Sequence, residues 1–426
     1  MRVVHIGTSD NSGGAARASF RLHTGLLARG VGSRMLVGIK TERRADVDGL
    51  PRRDTRLRRQ FIRAVGLLEQ ATGLQYQLLP WKRQFARHPF VRDADVINLH
   101  NLHGGFFSFN ELPGLSELAP LIWTIHDPWS MTGHCSYPDL YGCTRWRVGC
   151  GRCPALGDYP EISVDTTALL WRRKRAAYAR AEITVVAPST WIGGMAKESP
   201  LFGGRPVHVI PYGVDTAVFR PIPKRAAREV LGLPEAARVV LFSASSLESP
   251  RKGAKELKQA LELLRPRLDD PSDVVVLSVG AGSIAADGRV SGFPLRAVGA
   301  VEDDRLLAAC YSSADVFVVP TLADNLPNAL IESAACGTPA VAFGAGGVPD
   351  IVRHGETGVL AAPGDVAALA DGIRQLLEDV ALRTALGHRA RAMAEEEFAI
   401  GNQARRYIDL YQSVQRRDVR SDPQRR

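Results

Sequence analysis

Short apolar runs alternate along the chain with stretches of helical periodicity. The runs of the first half lie at 3–7 (VVHIG), 33–38, 95–100, 120–126 and 182–189. A second series follows at 207–213, 238–245, 273–280, 294–299, 315–320 and 339–344. Near-continuous apolar runs of this length are typical of strands in a parallel sheet that helices cover on both faces. The pattern therefore predicts an α/β protein with two doubly wound domains.

The restart of the strand pattern also predicts where the chain divides. We expect an N-terminal Rossmann-like domain over residues 1–188, with a Cys-rich loop at 133–155, and a second Rossmann-like domain over 189–400. A helix is expected over 401–416, followed by a disordered tail over 417–426. Ligands of open parallel sheets bind beyond the carboxyl ends of the strands, so we expect the ligand in a cleft between the two domains.

Composition and charge narrow the class of protein. The 426 residues are 45% hydrophobic and 23% charged, with a formal charge of +9, as in a globular protein with a basic surface. We find no apolar run of about 18 residues and no signal-peptide pattern, so we expect a cytoplasmic location, up to the inner face of the membrane. The basic residues concentrate in 43–63, 81–83, 172–175 and the last ten positions.

Two kinds of partner are weighed for this basic surface. Most of the basic stretches are expected to be solvated helix faces. The run 58–70 (RRQFIRAVGLLEQ) sets arginines beside an apolar face, which favours peripheral membrane contact. Interleaved aromatic and basic repeats are missing from the sequence, so no nucleic-acid partner is expected.

The stretch 317–352 carries the strongest candidate chemistry. A buried strand ends at Pro320, a polar turn contains Asp324 and Asn325, and a helix opens near Pro327 with Glu332 further along it. Backbone N–H groups at a helix N-terminus suit a diphosphate, and a nearby carboxylate can accept ribose hydroxyls. From the residues alone this is a candidate nucleotide site, and a helix-capping role for Asp324 is an equal alternative.

The same stretch resembles the donor-binding signature of family 4 glycosyltransferases, in which two acidic residues flank seven others. Here these are Asp324 and Glu332, followed by ACGTPAVAF and a Gly-Gly pair. The resemblance extends over 209–221 (VIPYGVDTAVFRP), 251–253 (RKG), 298–320 and 354–365 (HGETGVLAAPGD). It covers nearly the whole second half of the chain.

This resemblance implies a GT-B fold and the transfer of a sugar, with retention of configuration, from a nucleotide-sugar donor (UDP- or GDP-linked) to a hydroxyl acceptor. The acceptor class includes lipid-linked molecules, and the setting is surface polysaccharide, glycolipid or glycosylated-metabolite biosynthesis. The family needs no cofactor for its chemistry. Its last helix returns to the first domain, which we expect of 401–416 here.

The resemblance also implies the roles of individual residues. Catalytic roles go to His126, Asp324 and Lys252, with Glu332 holding the ribose of the donor. The implied donor-binding set is Gly13, Gly14, Arg251, Lys252, Asp324, Asn325, Asn328, Ala329, Leu330 and Glu332. The implied acceptor-side set is His100, His103 and Asp127.

Two positions depart from the common form of the signature. Asp324 stands where Glu is more frequent, which shortens the reach of the carboxylate by one methylene. Pro327 stands where many members have Gly, and proline has no N–H to offer a donor phosphate. The identity of the donor sugar is therefore left open.

The cysteines have no place in this scheme. Cys135, Cys143, Cys150 and Cys153 fall within nineteen residues and end in a C-x2-C pair. A structural zinc site and free or redox-labile thiols are equal alternatives, while disulfides require an oxidising compartment. Similar insertions occur in transferases resembling those of colanic-acid assembly, which implies a structural loop on the acceptor side.

Two other functions are compatible with parts of the pattern. A nucleotide-sugar 2-epimerase shares the fold, although the HGETG and DNLPN patterns favour transfer. A non-enzymatic basic protein that binds nucleic acid or membrane is the further alternative.

Overall fold

The computed structural model describes residues 1–50, 56–79, 84–285 and 287–421. The chain divides into two compact units, Met1–Pro211 with Gln403–Arg426, and Tyr212–Asn402. The basic stretch 81–83 and the last residues of the expected tail, 422–426, lie outside the described residues.

The first unit is built on a seven-stranded parallel sheet. Its strands are β1 (Arg2–Ser9), β2 (Gly32–Ile39), β3 (Val47–Gly49), β4 (Val96–Leu99), β5 (Leu121–Thr124), β6 (Ile183–Ala187) and β7 (Val207–Val209). They lie in the order β3-β2-β1-β4-β5-β6-β7. The helices are α1 (Gly14–Leu27), α2 (Arg56–Thr72), α3 (Gln84–Arg87), α4 (Pro89–Arg92), α5 (Leu112–Ser116), α6 (Thr167–Tyr178) and α7 (Thr190–Glu198).

The central strands of this sheet are buried on both faces, which explains their near-continuous apolar sequences. Val3 and Val96 belong to one apolar cluster, which includes Leu22 of α1. Their neighbours Val4 and Ile97 belong to another. Because successive side chains of a strand point to opposite faces, each strand contributes to both clusters.

The second unit repeats this architecture. Its strands are β8 (Arg238–Ser246), β9 (Val274–Ala281), β10 (Arg289–Val290), β11 (Phe293–Gly299), β12 (Val316–Val319), β13 (Ala340–Phe343) and β14 (Gly358–Ala361), in the order β10-β11-β9-β8-β12-β13-β14. All pairs are parallel except the edge pair of β10 and β11. The helices are α8 (Lys224–Leu231), α9 (Ala254–Leu264), α10 (Asp304–Ser313), α11 (Asn328–Ala335), α12 (Val366–Glu378) and α13 (Val380–Glu397).

The boundary between the units differs from the sequence prediction. The strand pattern places it at residue 188, whereas the structure divides the chain after Pro211. The reason is that β7, which opens the second series of apolar runs, pairs with β6 and completes the first sheet. An apolar run predicts a strand but does not say which sheet it joins.

The C-terminal helix α14 (Ile400–Ser421) packs against the first sheet. Tyr411 accepts a hydrogen bond from Asn98 at 2.8 Å, and the hydroxyl of Tyr407 lies 3.0 Å from that of Thr124. The helix continues past residue 416, where the sequence pattern places the start of a disordered tail, and ends at Ser421.

Helix α2 carries exposed apolar side chains. Phe61, Leu67 and Leu68 are all more than half exposed. None of the helices in the described ranges combines the length and the apolar character that crossing a bilayer requires.

Candidate active site

Two basic residues follow β8 at its carboxyl end in the second unit. Arg251 and Lys252 lie in a short 3-10 turn that Gly253 closes with a positive φ of 78°. The carbonyl oxygen of Pro320 passes so close that a Cβ at Gly253 would meet it at 1.8 Å. Glycine is therefore required where the basic turn packs against the end of β12.

Both basic residues contact Asp324. The ammonium of Lys252 lies 2.5 Å from Oδ2 of Asp324, and the guanidinium of Arg251 lies 3.3 Å from the same oxygen. Burial alone would raise the pKa of Asp324, but the two cations outweigh it and lower that pKa. Burial lowers the pKa of Lys252, and Asp324 opposes this shift. The three side chains form a partly buried ionic cluster with net positive charge.

Asp324 is not the cap of α11, which was the alternative interpretation. The N-cap of that helix is Pro327, and no side chain caps it. The backbone around Asp324 is instead held by Gly347, whose N–H donates to the carbonyl of Asp324 at 3.1 Å. Gly346 has φ 59°, and a Cβ there would lie 1.9 Å from that carbonyl oxygen. Gly346, the first residue of the Gly-Gly pair, is thus a packing requirement of the acidic turn.

Helix α11 starts at Asn328, as the pattern of residues predicts. Asn325, in the turn before it, is almost fully buried. Asn328 and Ala329, in its first turn, are partly exposed. Leu330 is buried, and its amide donates to the carbonyl of Pro327 at 3.1 Å. Among the expected donor-binding residues of α11, Leu330 thus faces the core.

Glu332 is buried on α11 and accepts a hydrogen bond from Tyr311 at 2.8 Å. Burial and the nearby carboxylate raise the pKa of Tyr311 well above its usual value, so its hydroxyl stays protonated and remains a donor. The sequence reasoning missed Tyr311 as a site residue. The available signal was its position within 298–320, one of the segments that carry the resemblance.

Four of the six candidate residues of the first unit line a pocket of about 530 Å³ at the carboxyl ends of β1 and β4. Gly13 and Gly14 form one wall, at the N-terminus of α1, where Gly13 has φ 92°. His100, His103 and Tyr159 also line the pocket. Four residues singled out in the sequence are therefore brought together, while Tyr159 was missed.

Asp127 orients His103. The imidazole Nε2 of His103 lies 2.8 Å from the carboxylate of Asp127, and its Nδ1 lies 3.2 Å from the hydroxyl of Tyr159. Burial alone would raise the pKa of Asp127, but His103 and the amide of Trp129 lower it overall. Asp127 is therefore an ionised carboxylate that holds the ring of His103.

His126 follows β5 and joins a chain of imidazoles. Its Nε2 lies 2.9 Å from Nδ1 of His100, and Nε2 of His100 lies 2.9 Å from Nδ1 of His5 on β1. Burial lowers the pKa of His126 to about 4, and it lowers the pKa values of His5 and His100 well below the usual range. His5 was not among the expected site residues.

The four clustered cysteines line one cavity together with His134. Their thiols are free, and burial raises the pKa of Cys135 to about 12 and that of Cys150 to about 11. In the described part of the chain, no three His, Cys, Asp or Glu side chains are arranged to hold a metal ion. The residues therefore do not form a preorganised zinc site, and zinc binding stays a prediction.

Comparison with known families accounts for both halves of the chain. The family model described as Glycosyltransferase Family 4 matches residues 12–218. The model described as Glycosyl transferases group 1 matches residues 237–379. The first match contains Gly13, Gly14 and the histidines 100, 103 and 126, and the second contains the basic turn and both acidic residues.

Individual proteins show the same relationship. A D-inositol 3-phosphate glycosyltransferase of Catenulispora acidiphila is 34% identical over 50% of this chain and 54% of its own. WcaC of Escherichia coli, named for colanic acid biosynthesis, is 25% identical over 58% of this chain and 59% of its own. The chain thus spans about half the length of the curated relatives it matches.

A solved structure confirms the fold. Anabaena HepE, crystallised with UDP and glucose, superposes with a TM-score of 0.66 at 17% identity and covers 97% of this chain and 100% of its own. At this identity the likeness establishes the fold alone, which is GT-B with two Rossmann-like units. Both halves of the chain therefore carry glycosyltransferase sequence, a family 4 segment followed by a group 1 glycosyl transferase segment.

Proposed function

We propose that this protein is a retaining glycosyltransferase that moves a sugar from a nucleotide-sugar donor, UDP- or GDP-linked, to a hydroxyl acceptor. The observation that carries the proposal is the packing of Lys252 and Arg251 against Asp324 beside α11, the helix that also carries Glu332. Cations at that point suit a departing diphosphate, and a buried carboxylate on the helix suits ribose hydroxyls.

The roles of these residues follow from their contacts. Lys252 has three N–H donors, so it can hold Asp324 and a phosphate oxygen of the donor at the same time. Asp324 keeps the ammonium in place and lies beside the transferred sugar. Glu332, fixed by Tyr311, accepts the hydroxyls of the ribose.

In the proposed reaction the bond between the anomeric carbon and the diphosphate oxygen breaks, and the acceptor oxygen bonds to that carbon on the same face. The proton of the acceptor hydroxyl passes to the leaving diphosphate, so no side chain acts as a covalent nucleophile. Catalysis then depends on positioning the reactants and on neutralising the charge of the leaving group. No divalent metal ion takes part in this scheme.

The test is release of nucleoside diphosphate from a panel of UDP- and GDP-sugars, with and without added EDTA. We expect turnover of at least one donor, undiminished by EDTA, and a loss of about 100-fold or more in kcat/KM for Lys252→Ala and Glu332→Ala. Lys255→Ala on the exposed side of α9 and Glu302→Ala in an exposed loop are the matched controls. Equal turnover by the site variants and the controls would remove the site assignment.

We further propose that the sugar is transferred to its acceptor at a membrane surface, in the biosynthesis of a surface polysaccharide or glycolipid. The exposed Phe61, Leu67 and Leu68 of α2, on a helix rich in arginine, support this setting because such a face inserts among anionic headgroups. The name of WcaC, a relative over 260 residues, points to the same class of pathway.

Vesicle flotation tests the membrane proposal. We expect the protein to float with vesicles that contain anionic phospholipid and to lose most of this binding in Phe61→Ser/Leu68→Ser. Leu118→Ser, at another exposed leucine of the first unit, is the control and should bind like the wild type. Equal flotation of both variants would contradict a docking role for α2.

A further inference from the structure

The three imidazoles of His126, His100 and His5 form one continuous hydrogen-bonded chain inside the first unit. The two N···N distances are both 2.9 Å, and the rings are tilted by 33° and 32° to their neighbours. All three side chains are buried. The hydrogen-bonded chain starts at His5 on β1 and ends at His126, for which the family resemblance implies a catalytic role.

The hydrogen bonds along the three imidazoles can run in only two directions if all three rings are neutral. The lowered pKa values of the histidines support this neutral state. A neutral imidazole has one N–H donor and one acceptor nitrogen. Each ring must therefore donate with one nitrogen and accept with the other. In the first direction His5 donates from Nδ1 and His126 carries its proton on Nδ1; in the second His126 donates from Nε2 and His5 carries its proton on Nε2.

The His5 end of the imidazole chain distinguishes these two directions. Nε2 of His5 is buried and has no hydrogen-bond partner. Besides His100, the ring that lies near His5 is that of His23, at 6.1 Å between centroids. The second direction would bury an unpaired N–H, whereas the first leaves only a lone pair there. Orphaned buried N–H groups are the rarer of the two defects in folded proteins.

We propose that His5 and His100 are positioning residues that fix His126 in the tautomer with its proton on Nδ1. His126 then presents Nδ1 as a permanent hydrogen-bond donor and has Nε2 committed to His100. The consequence of this tautomer for the substrate rests on the proposed function. A neutral N–H donor recognises a sugar hydroxyl or phosphate oxygen and does not exchange protons with the substrate. The tautomer itself is independent of that function.

The direct test is NMR of the full-length protein labelled with ¹⁵N in its histidines, since long-range ¹H–¹⁵N correlations identify the protonated ring nitrogen. We expect the signals of His126, assigned through His126→Asn, to be those of the Nδ1–H tautomer at pH 7. The Nε2–H tautomer or an imidazolium would overturn the proposal, whether or not the protein transfers sugar.

Variants of His5 test the relay itself. His5→Asn keeps an amide donor near the position of Nδ1 and should preserve the tautomer and most activity. His5→Leu removes the donor, so we expect mixed tautomers at His126 and a loss of about tenfold in kcat/KM. His388→Asn on the exposed face of α13 is the control. If His126 is purely in the Nδ1–H tautomer in His5→Leu, the imidazole chain does not set that tautomer. If His5→Leu fails to fold, loss of the tautomer in His5→Asn contradicts the proposal equally.

Discussion

At the scale of single residues, the candidate site consists of charged groups whose partners explain their state. Asp324 remains ionised although it is buried, because Lys252 and Arg251 lie against it. Glu332 accepts a hydrogen bond from the hydroxyl of Tyr311. The site is therefore preorganised, which is what electrostatic stabilisation of a leaving diphosphate requires.

Tyr311→Phe tests whether this hydrogen bond serves donor binding. The variant keeps the ring and removes the hydroxyl, so Glu332 loses the partner that orients it. We expect KM for the donor to rise about threefold to tenfold, with a smaller change in kcat, because the ribose contact forms in the ground state. Steady-state kinetics measures both constants. Tyr141→Phe, at an exposed tyrosine, should match the wild type; an unchanged KM in Tyr311→Phe would contradict the role of Tyr311.

At the scale of helices and strands, the predicted architecture and the motif positions agree with the structure because apolar runs and glycines report local geometry. Helix α11 begins at Asn328, next to the predicted Pro327. The short strands β3, β10 and β14 escaped prediction, since strands of two to four residues leave little periodicity to read. The assignment of β7 to the first sheet depends on long-range pairing, which local pattern does not encode.

The candidate site was predictable to the extent that each residue sits in a motif. Asp324, Glu332 and Lys252 could be identified because they follow strand ends in recognisable segments. Tyr311 and His5 could not be assigned in this way, because they act through a partner that is distant in the sequence. His5 in particular lies in the core of β1, where a histidine has no local signature.

The acidic turn depends on the glycine that packs under it. Gly346→Ala places a Cβ 1.9 Å from the carbonyl of Asp324 and forces a non-glycine residue to φ 59°. We expect the turn to shift and kcat/KM to fall by about tenfold or more, with only a modest loss of thermal stability. Gly364→Ala, also at positive φ but with open space around it, is the control for backbone strain alone. Equal kinetics for the two variants would show that the packing of Gly346 is irrelevant to the site.

In the second unit, a buried carboxylate at the start of β12 connects this strand to α8 and β8. Asp315 accepts hydrogen bonds from Lys224 and Arg228 of α8 and from the amide of Val239 on β8. We expect Asp315→Ala to cost about 3–5 kcal/mol of unfolding free energy, because it leaves Arg228 buried without its carboxylate.

Chemical denaturation measures this cost. Asp371→Ala breaks an exposed pair with Arg267 and should cost at most about 1 kcal/mol. A loss for Asp315→Ala no larger than that of the control would show that the buried network contributes little.

At the scale of the whole molecule, the candidate residues are divided between two units of similar architecture. The basic turn and the acidic pair belong to Tyr212–Asn402, and the glycine pocket and the histidine chain belong to Met1–Pro211. The first family match ends at residue 218, shortly after the boundary between the units, and the second begins at residue 237.

The buried histidines predict how the stability of the first unit depends on pH. Their pKa values are lowered by burial, that of His126 to about 4, while an unfolded histidine titrates near 6.5. Below about pH 6.5 the unfolded chain binds protons that the folded one does not, so stability falls as the pH drops towards 4. Each such group contributes about 1 kcal/mol per pH unit in this window.

Calorimetry between pH 7.5 and 5.5 should show a falling Tm, with a shallower slope in His126→Asn and the wild-type slope in His388→Asn. Carboxylates titrate below this range, so they do not mask the effect. A Tm that stays level or rises on acidification would mean that the histidines are charged in the folded state.

The central claim is that the second unit holds the nucleotide of an activated sugar between Lys252 and Glu332. The most direct test is a crystal structure of the protein with whichever UDP- or GDP-sugar it turns over. The account predicts the ribose hydroxyls on Glu332 and the diphosphate beside Lys252. A nucleotide bound away from both residues, with this pocket closed, would contradict it.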